Sequence, residues 1–584
     1  MLYHLIGLGM VAGWLFPLRS LPVFSFSQEW ISCAAFFLLA VYFYFKEKLA
    51  GNKHLLERIP HVTVVMAGIP LIGVLQIILG LHPLPIGVGF FVCGFLAFSF
   101  ASQLGLELIK DIDNSEKNIK FLNGFAIICK WILGGGFLSA LMVFLQLLNW
   151  DIYLFPLVRS PSLFESRPSA NLSQPNLMTL HLVFAIVSAG WLYVEKKISP
   201  YKLAGIVFFI SIAIGFANTR AFLLMMGAVT LGVLFYRGPK KRTLLIWTLF
   251  ILPGLYLFLA HYNNELMSIF GYGGRATFDI NIKTDARIKI WMASLEIVKL
   301  NPFLGVGLGA YSVGFFEVAQ GTLGSVGATG NAHNLTLQLM AECGIFFGIA
   351  FSLGIGCWYF KRLFQPNLKS WQLASISIIG AALAHSLVEF PLWFFSFLVP
   401  VAFFSGLLSS NAAASIVDIK KSARAIIFSG VATLAMVGLI WSLVDYIDLQ
   451  ENYEDGITIG NSNAVKKVAS QNRTSLFQWH YDYGRFLTME LEENNGELIM
   501  DLARKSVQRF PFIRGVARYS YVAAATNHMQ EADSALRVLY NMYPVAFETF
   551  LKQNHALCID DATTQRAHCI LEGLAGEIKI TDAK

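Results

Sequence analysis

A histidine at the mouth of a long apolar run is the residue of this chain best suited to moving a proton. His333 stands in Asn331-Ala332-His333-Asn334, directly before Leu335-Thr336-Leu337-Gln338-Leu339-Met340-Ala341-Glu342-Cys343-Gly344. Its ordinary pKa lies near working pH, so it suits a general base or an orienter of a hydroxyl nucleophile. The plainer alternative is a hydrogen-bonded histidine that fixes a helix start, with Asn331 or Asn334 as the cap. Glu342 follows about 13 Å along a helix, too far for direct proton relay with His333. A lone carboxylate in an apolar segment is costly, so Glu342 calls for a buried polar partner or an arginine.

The second set of chemistry-bearing residues is cationic. Arg159 and Arg167 fall in a loop at 149–175, Arg220 in the tight turn Asn218-Thr219-Arg220, and Arg275 and Arg287 in a loop at 262–333. All lie on the side of the membrane where cations are scarce. A guanidinium grips phosphate bidentately, and the bland alternative is snorkelling to lipid headgroups. Gln174-Pro175-Asn176 offers neutral amides to sugar or pyrophosphate oxygens. His385 and Glu389 are spaced to share a helix face, but a zinc site needs a third ligand that is missing here. They read as supporting or acceptor-site polar groups. Asp111-Ile112-Asp113 resembles a metal-binding sugar-nucleotide motif, yet it sits among lysines on the opposite side and reads as a solvated face. Several arginines, one histidine and neutral amides suit transfer from a lipid diphosphate, with no metal or other cofactor expected. The leaving diphosphate gains charge that fixed arginines stabilise, and the incoming hydroxyl needs alignment and loss of a proton.

The elements that must hold these residues are membrane helices. Of the 584 residues, 55% are hydrophobic and 14% charged, against about 25% charged in soluble domains. Apolar runs recur to residue 447 and read as thirteen spans. They fall at about 2–17, 30–45, 61–81, 85–106, 126–148 and 176–195; the seventh ends near Ala217, the eighth follows Arg220, and the ninth ends near His261. The last four run at about 334–360, to near Leu387, 391–408 and 425–447. The N-terminus lacks a basic leader and a small-residue cleavage site, so the first span reads as retained. Alternate loops are basic, which places them in the cytoplasm and puts loops 149–175 and 262–333, the Arg220 turn, Glu389 and the C-terminal region outside. The net charge of +7 collects in these short loops and does not suggest nucleic acid. A transporter is disfavoured because the charged groups gather at one face and form no chain through mid-membrane.

Residues 448–584 change character, being mixed, charged and the size of one soluble domain. Gln478 to Leu487 and Asn495 to Phe510 read as amphipathic helices, and the stretch from Ala517 to Pro544 resembles a tetratricopeptide-like hairpin. Such domains bind polypeptides more often than they catalyse, with generic helical packing as the alternative. Cys33, Cys93, Cys129, Cys343 and Cys357 lie in apolar segments, whereas Cys558 and Cys569 could pair if the tail is exported.

The order Asp285-x-Arg287, Trp291, Asn301-Pro302-Phe303-Leu304-Gly305-Val306-Gly307-x-Gly309, His333-Asn334, Gln338 and Glu342-x-Gly344 resembles the O-antigen ligase/polymerase superfamily. Gln174-Pro175-Asn176, Thr219-Arg220 and His385-Ser386-x-Val388-Glu389-Phe390-Pro391-Leu392 are similar to its PglL-type protein O-oligosaccharyltransferases, or pilin glycosylation ligases. The resemblance covers the membrane part, and a large outer C-terminal domain is usual in that branch. It implies an all-α polytopic membrane fold of GT-C-like type, with a catalytic domain at 1–447 and an α-helical, TPR-like periplasmic domain at 448–584. It also implies an inverting, metal-independent transfer in the bacterial inner membrane. The donor would be an oligosaccharide on undecaprenyl diphosphate, and the acceptor a Ser or Thr of an exported protein such as a type IV pilin. By motif, His333 is then the catalytic histidine and Arg220 and Arg287 bind diphosphate. Gln174, Asn176, Arg167, Glu342, His385 and Glu389 line the substrate. Thr219 stands where members often have Ser, and Phe394 where they often have Tyr. The rivals are a ligase acting on lipid A–core and a polysaccharide polymerase.

Overall fold

The computed structural model describes residues 1–19, 22–49, 58–82, 87–109, 115–160, 167–172, 174–272, 286–321, 327–409, 413–415, 421–453, 475–492, 494–559 and 565–582. Arg275, Asp285 and Asp111-Ile112-Asp113 lie outside these residues. The described fold is all-α apart from one short ladder, in which Arg58–Pro60 pairs antiparallel with Ala413–Ser415. Eight described helices are long and apolar enough to cross a membrane. An eighteen-residue helix such as Pro200–Ala217 rises about 27 Å, close to the thickness of a hydrocarbon core. Three shorter apolar helices, Leu2–Leu15, Ala221–Phe235 and Phe395–Leu407, add to them.

The chain packs as two units. The first comprises Met1–Ile69, Phe91–Ile280 and Phe351–Leu439. Its central element is helix Pro175–Val194, which is buried around nearly its whole circumference. Helices Ser115–Leu147, Pro200–Ala217, Ala221–Phe235 and Ser370–His385 pack against it. A helix apolar on every face is what such a position demands.

The second unit comprises Pro70–Phe90, Asn281–Ala350 and Ile440–Lys584. One apolar core runs through it, shared by Ile297, Tyr311, Phe315 and Met340 with Phe486, Val516, Leu536 and Leu539. Its C-terminal helices are Gln478–Thr488, Gly496–Val507, Ile513–Ala525, Met529–Met542, Pro544–Ile559 and Gln565–Asp582. Successive pairs pack as hairpins, and Cys558 and Cys569 are joined by a disulfide that links the last two helices.

The second hairpin is tied to its neighbour by an ion pair. Arg504 donates to Glu531 from Nε at 3.0 Å and Nη2 at 2.8 Å, and the Tyr519 hydroxyl donates to the same carboxylate. The Arg504 hydrogen bonds hold the Glu531 carboxyl below its ordinary range. A depressed carboxyl stabilises the fold fully above the unfolded value, about 4.3, and loses that contribution as pH falls through the folded value. Both side chains are about a third exposed, so the contribution is about 1 kcal/mol at most. Protection of the amides in Gly496–Val507 and Met529–Met542, relative to their intrinsic exchange rates, should therefore weaken as pH falls below the ordinary carboxyl range, and Glu531→Gln should remove that dependence.

The sequence reading places a single span at 334–360. The structure divides it into helix Leu335–Cys343 and helix Ile345–Leu363. The break is Gly344, whose φ of 89° a helix cannot contain. The loop 262–333 holds helices Asn263–Ile269, Ala286–Leu300 and Tyr311–Val318.

Candidate active site

In the first unit, buried amides shape the loop that leads to the central helix. Gln146 Oε1 accepts the N–H groups of Ser169 at 3.0 Å and Ala170 at 2.9 Å, and its Nε2 donates to Arg159 O at 2.6 Å. Asn171 Nδ2 donates to Leu15 O at 2.8 Å and Leu157 O at 3.0 Å, and its Oδ1 accepts the Arg159 N–H at 3.0 Å. Gln28 Nε2 and the Arg19 guanidinium bond the carbonyl of Asn171 from the other side. Irregular backbone next to lipid has no water to satisfy it, and these side chains take water's place. None of the four was singled out from sequence. The signal for them was polar residues inside or beside apolar runs.

That loop delivers Arg167, Gln174 and Asn176 to one place. Gln174 is the N-cap of helix Pro175–Val194, but its side chain makes no cap bond. Asn176 Nδ2 donates to Glu389 Oε1 at 2.6 Å, which brings the second amide onto the turn after His385. Helix Ser370–His385 ends at His385, so Glu389 lies past it and not on the expected shared helix face, and its N–H donates back to His385 O at 2.9 Å; the His385 ring is fully buried.

The Arg220 turn docks on the same helix. Asn218 ends helix Pro200–Ala217 in the left-handed conformation with φ 45°, a role to which asparagine is suited. Thr219 Oγ1 donates to Thr179 Oγ1 at 2.9 Å, and Thr179 Oγ1 donates to Pro175 O at 2.9 Å. Arg167 Nη1 donates to Ala217 O at 3.3 Å, beside that turn. Arg220 is the half-buried residue that opens helix Ala221–Phe235. Arg167, Gln174, Asn176, Arg220 and Glu389 thus gather around the start of the central helix. Arg159 does not join them, since its guanidinium lies over the Phe24 ring at 5.9 Å.

In the second unit the structure places Arg287, His333 and Glu342. Arg287 lies in the first turn of helix Ala286–Leu300, which packs on helix Leu335–Cys343. Asn334 caps the latter, its Oδ1 accepting the Leu337 N–H at 3.0 Å, so of the two candidate caps it is this one. His333 precedes the cap with φ 51°. Left-handed backbone at a non-glycine residue costs about 1–2 kcal/mol and needs surroundings that enforce it. Glu342, expected at the substrate, is buried, and its Oε1 accepts Gln338 Nε2 at 2.9 Å and the Tyr311 N–H at 3.2 Å. This is the buried polar partnership that the residue type called for, and it sets the carboxylate in the protein's interior, whereas the place at the substrate rested on the resemblance alone.

The glycine-rich stretch after Asn301 turns out to be scaffold. Val306 N–H donates to Ala341 O at 3.0 Å, Gly307 N–H to Glu342 O at 3.1 Å, and Ile345 N–H to Pro302 O at 2.9 Å. Gln76 staples the same place, donating to the carbonyls of Leu304 and Glu342 and accepting the Leu308 N–H at 3.0 Å. A Cβ on Gly305 would stand 2.3 Å from the Glu342 carbonyl carbon, and one on Gly344 would stand 2.0 Å from Phe303 O. Only backbone without a side chain can approach so closely. Gly344→Ala should therefore lower stability by about 2 kcal/mol or more, because both the positive φ and the clash are with backbone. Thermal unfolding of the detergent-solubilised variant checks this.

These sites belong to a helical membrane enzyme, and comparison with known proteins gives its class. Residues 205–353 match the O-antigen ligase family, and residues 373–556 match the C-terminal region of the virulence factor membrane-bound polymerases. The chain is a glycosyltransferase, similar to the O-antigen ligases over residues 205–353. Among its relatives is a general O-oligosaccharyltransferase of Acinetobacter baylyi, 22% identical over 442 residues that cover 73% of this chain and 72% of the relative. Another, a ComP-specific O-oligosaccharyltransferase of the same organism, is 27% identical over 478 residues, covering 78% of this chain and 81% of the relative.

Proposed function

We propose that this chain transfers an oligosaccharide from undecaprenyl diphosphate to Ser or Thr hydroxyls of an exported protein such as a pilin, at the periplasmic face of the bacterial inner membrane. The observation that carries this reading is the gathering of Arg167 and Arg220 with the Gln174 and Asn176 amides at the start of the central helix. It occurs in a chain similar to O-oligosaccharyltransferases over most of its length. Guanidinium groups and amides in that arrangement fit a diphosphate and the sugar attached to it.

In the reaction, the acceptor hydroxyl oxygen attacks the anomeric carbon while the bond from that carbon to the diphosphate oxygen breaks. The hydroxyl proton goes to the His333 imidazole, and the electron pair leaves with the diphosphate. Arg220 and Arg287 offset the charge that develops there, an effect strongest where water is excluded. Attack from the face opposite the leaving group inverts the anomeric configuration. Gln174, Asn176 and Arg167 hold the donor, while His385 and Glu389 shape the turn that faces it. Residues 448–584 are the acceptor-facing part.

The matches to O-antigen ligase and to membrane-bound polymerase favour a second reading, in which the acceptor is lipid A–core or a growing polysaccharide. The deciding experiment is intact-mass analysis of exported proteins, with and without this gene, in a host that makes a lipid-linked oligosaccharide. A glycan-sized shift on a protein supports the proposal. Long-chain lipopolysaccharide without a protein shift replaces it with the lipid acceptor.

A further inference from the structure

We propose that Gln338 is the positioning residue for His333, and that Glu342 orients Gln338 and ties it to the C-terminal helices through Arg509. The inference rests on the reading of His333 as the base, and it goes beyond that reading by naming what holds the base in place.

The argument starts at the left-handed backbone of His333. Such a residue stays put only when both neighbours are fixed. On its C-terminal side Asn334 is fixed as the helix cap. On its N-terminal side the Ala332 N–H donates to Gln338 Oε1 at 2.6 Å. Gln338 can offer its oxygen there only if its nitrogen points the other way, and Nε2 donates to Glu342 Oε1 at 2.9 Å. Glu342 Oε1 also accepts the Tyr311 N–H and so stands as an acceptor, and flipping the amide would set oxygen against oxygen and nitrogen against the Ala332 N–H. Ala332, Gln338 and Glu342 are all buried, so water cannot substitute for these bonds.

Glu342 is anchored in turn. Its Oε1 accepts the Tyr311 N–H, and the Arg509 guanidinium interacts with it electrostatically. Arg509 comes from the C-terminal helices, donates to Gly309 O, and lies over the Trp479 ring at 5.3 Å. The same helices hold the far end of the segment that leads to His333. Tyr543 Oη accepts the Ala328 N–H at 2.9 Å and donates to Pro511 O at 2.9 Å, and Asn541 Nδ2 donates to Ala319 O at 2.9 Å. The C-terminal helices therefore help set the geometry of the catalytic histidine, in addition to any role in meeting the acceptor.

The test uses the full-length chain in detergent with a lipid-linked oligosaccharide donor and a Ser-bearing peptide acceptor. Gln338→Glu keeps the size and the acceptor for Ala332 but sets a carboxylate against Glu342. The expected result is a kcat lower by about 10²-fold with the donor KM within about twofold, since misplacing a base harms the chemical step and not ground-state binding. Adding Glu342→Gln restores an amide facing a carboxylate and should recover kcat at least about tenfold. If His333→Ala is inactive while Gln338→Glu keeps wild-type kcat, or loses activity through KM alone, the inference is overturned and the base reading stands. If His333→Ala is active, both fall.

A readout independent of activity guards against a variant that does not fold. In Gln338→Met, which neither donates nor accepts, hydrogen exchange over residues 327–338 should quicken while exchange in helix Ile513–Ala525 stays slow. Unchanged exchange at 327–338 overturns the inference.

Discussion

Replacing His333 by alanine should lower the rate of glycan transfer by about 10²–10⁴-fold, the usual contribution of a positioned general base. The chain should still reach the membrane in normal amount, because the side chain stands before a helix cap and outside the apolar core of its unit. Alanine, however, accepts left-handed backbone poorly, so a loss on its own leaves strain as a second explanation. His333→Asn separates the two. Asparagine tolerates φ 51° but cannot take a proton at working pH, so it should be as inactive as alanine while unfolding at the wild-type temperature. Single-turnover transfer from a lipid-linked donor to a peptide, with a melting curve for each variant, decides it. Near-normal transfer by either variant removes His333 as the base.

Arg220 carries the second large effect. Its turn is fixed from two sides, by the left-handed Asn218 and by the Thr219–Thr179 hydroxyl bond, so the guanidinium starts from a defined point. Arg220→Ala should cost about 10²–10³-fold in kcat, as for removal of one fixed group that faces developing charge. Arg220→Lys should regain little of this. An ammonium is a point charge and cannot replace a planar fork that grips two phosphate oxygens at once. The loss should also appear in kcat more than in KM, because the leaving diphosphate is most negative in the transition state. Full activity in the lysine variant would reduce Arg220 to a structural residue at the head of its helix.

Much of this fold was legible because lipid imposes it. Apolar runs of one membrane thickness read directly as helices, and local spacing narrowed the cap to Asn331 or Asn334, of which the structure uses Asn334. The break at Gly344 was not legible, since a glycine inside an apolar run also fits an unbroken helix. What decides it is the carbonyl of Phe303 arriving from 41 residues upstream. Gln76, Gln146 and Asn171 were passed over for the same reason. A glutamine in an apolar run shows that a partner must exist, but not which loop supplies it, and for Gln76 the partners lie 228 to 266 residues away. Glu342 shows the limit most plainly. Its type and place called for a buried polar partner or an arginine without naming one, and the structure supplies Gln338, the Tyr311 N–H and Arg509. Arg509 stands in the helical tail and gave no hint that its side chain would reach Gly309.

The glycines after Asn301 have a consequence for how such chains are recognised. Their spacing is dictated by how closely one stretch of backbone lies on the end of helix Leu335–Cys343, and that demand is indifferent to what His333 does. A chain could keep every glycine of this signature, fold in the same way, and have lost the proton acceptor altogether. The glycine pattern is therefore a mark of architecture, and under the proposed function the histidine with its supporting glutamine is the separate mark of chemistry.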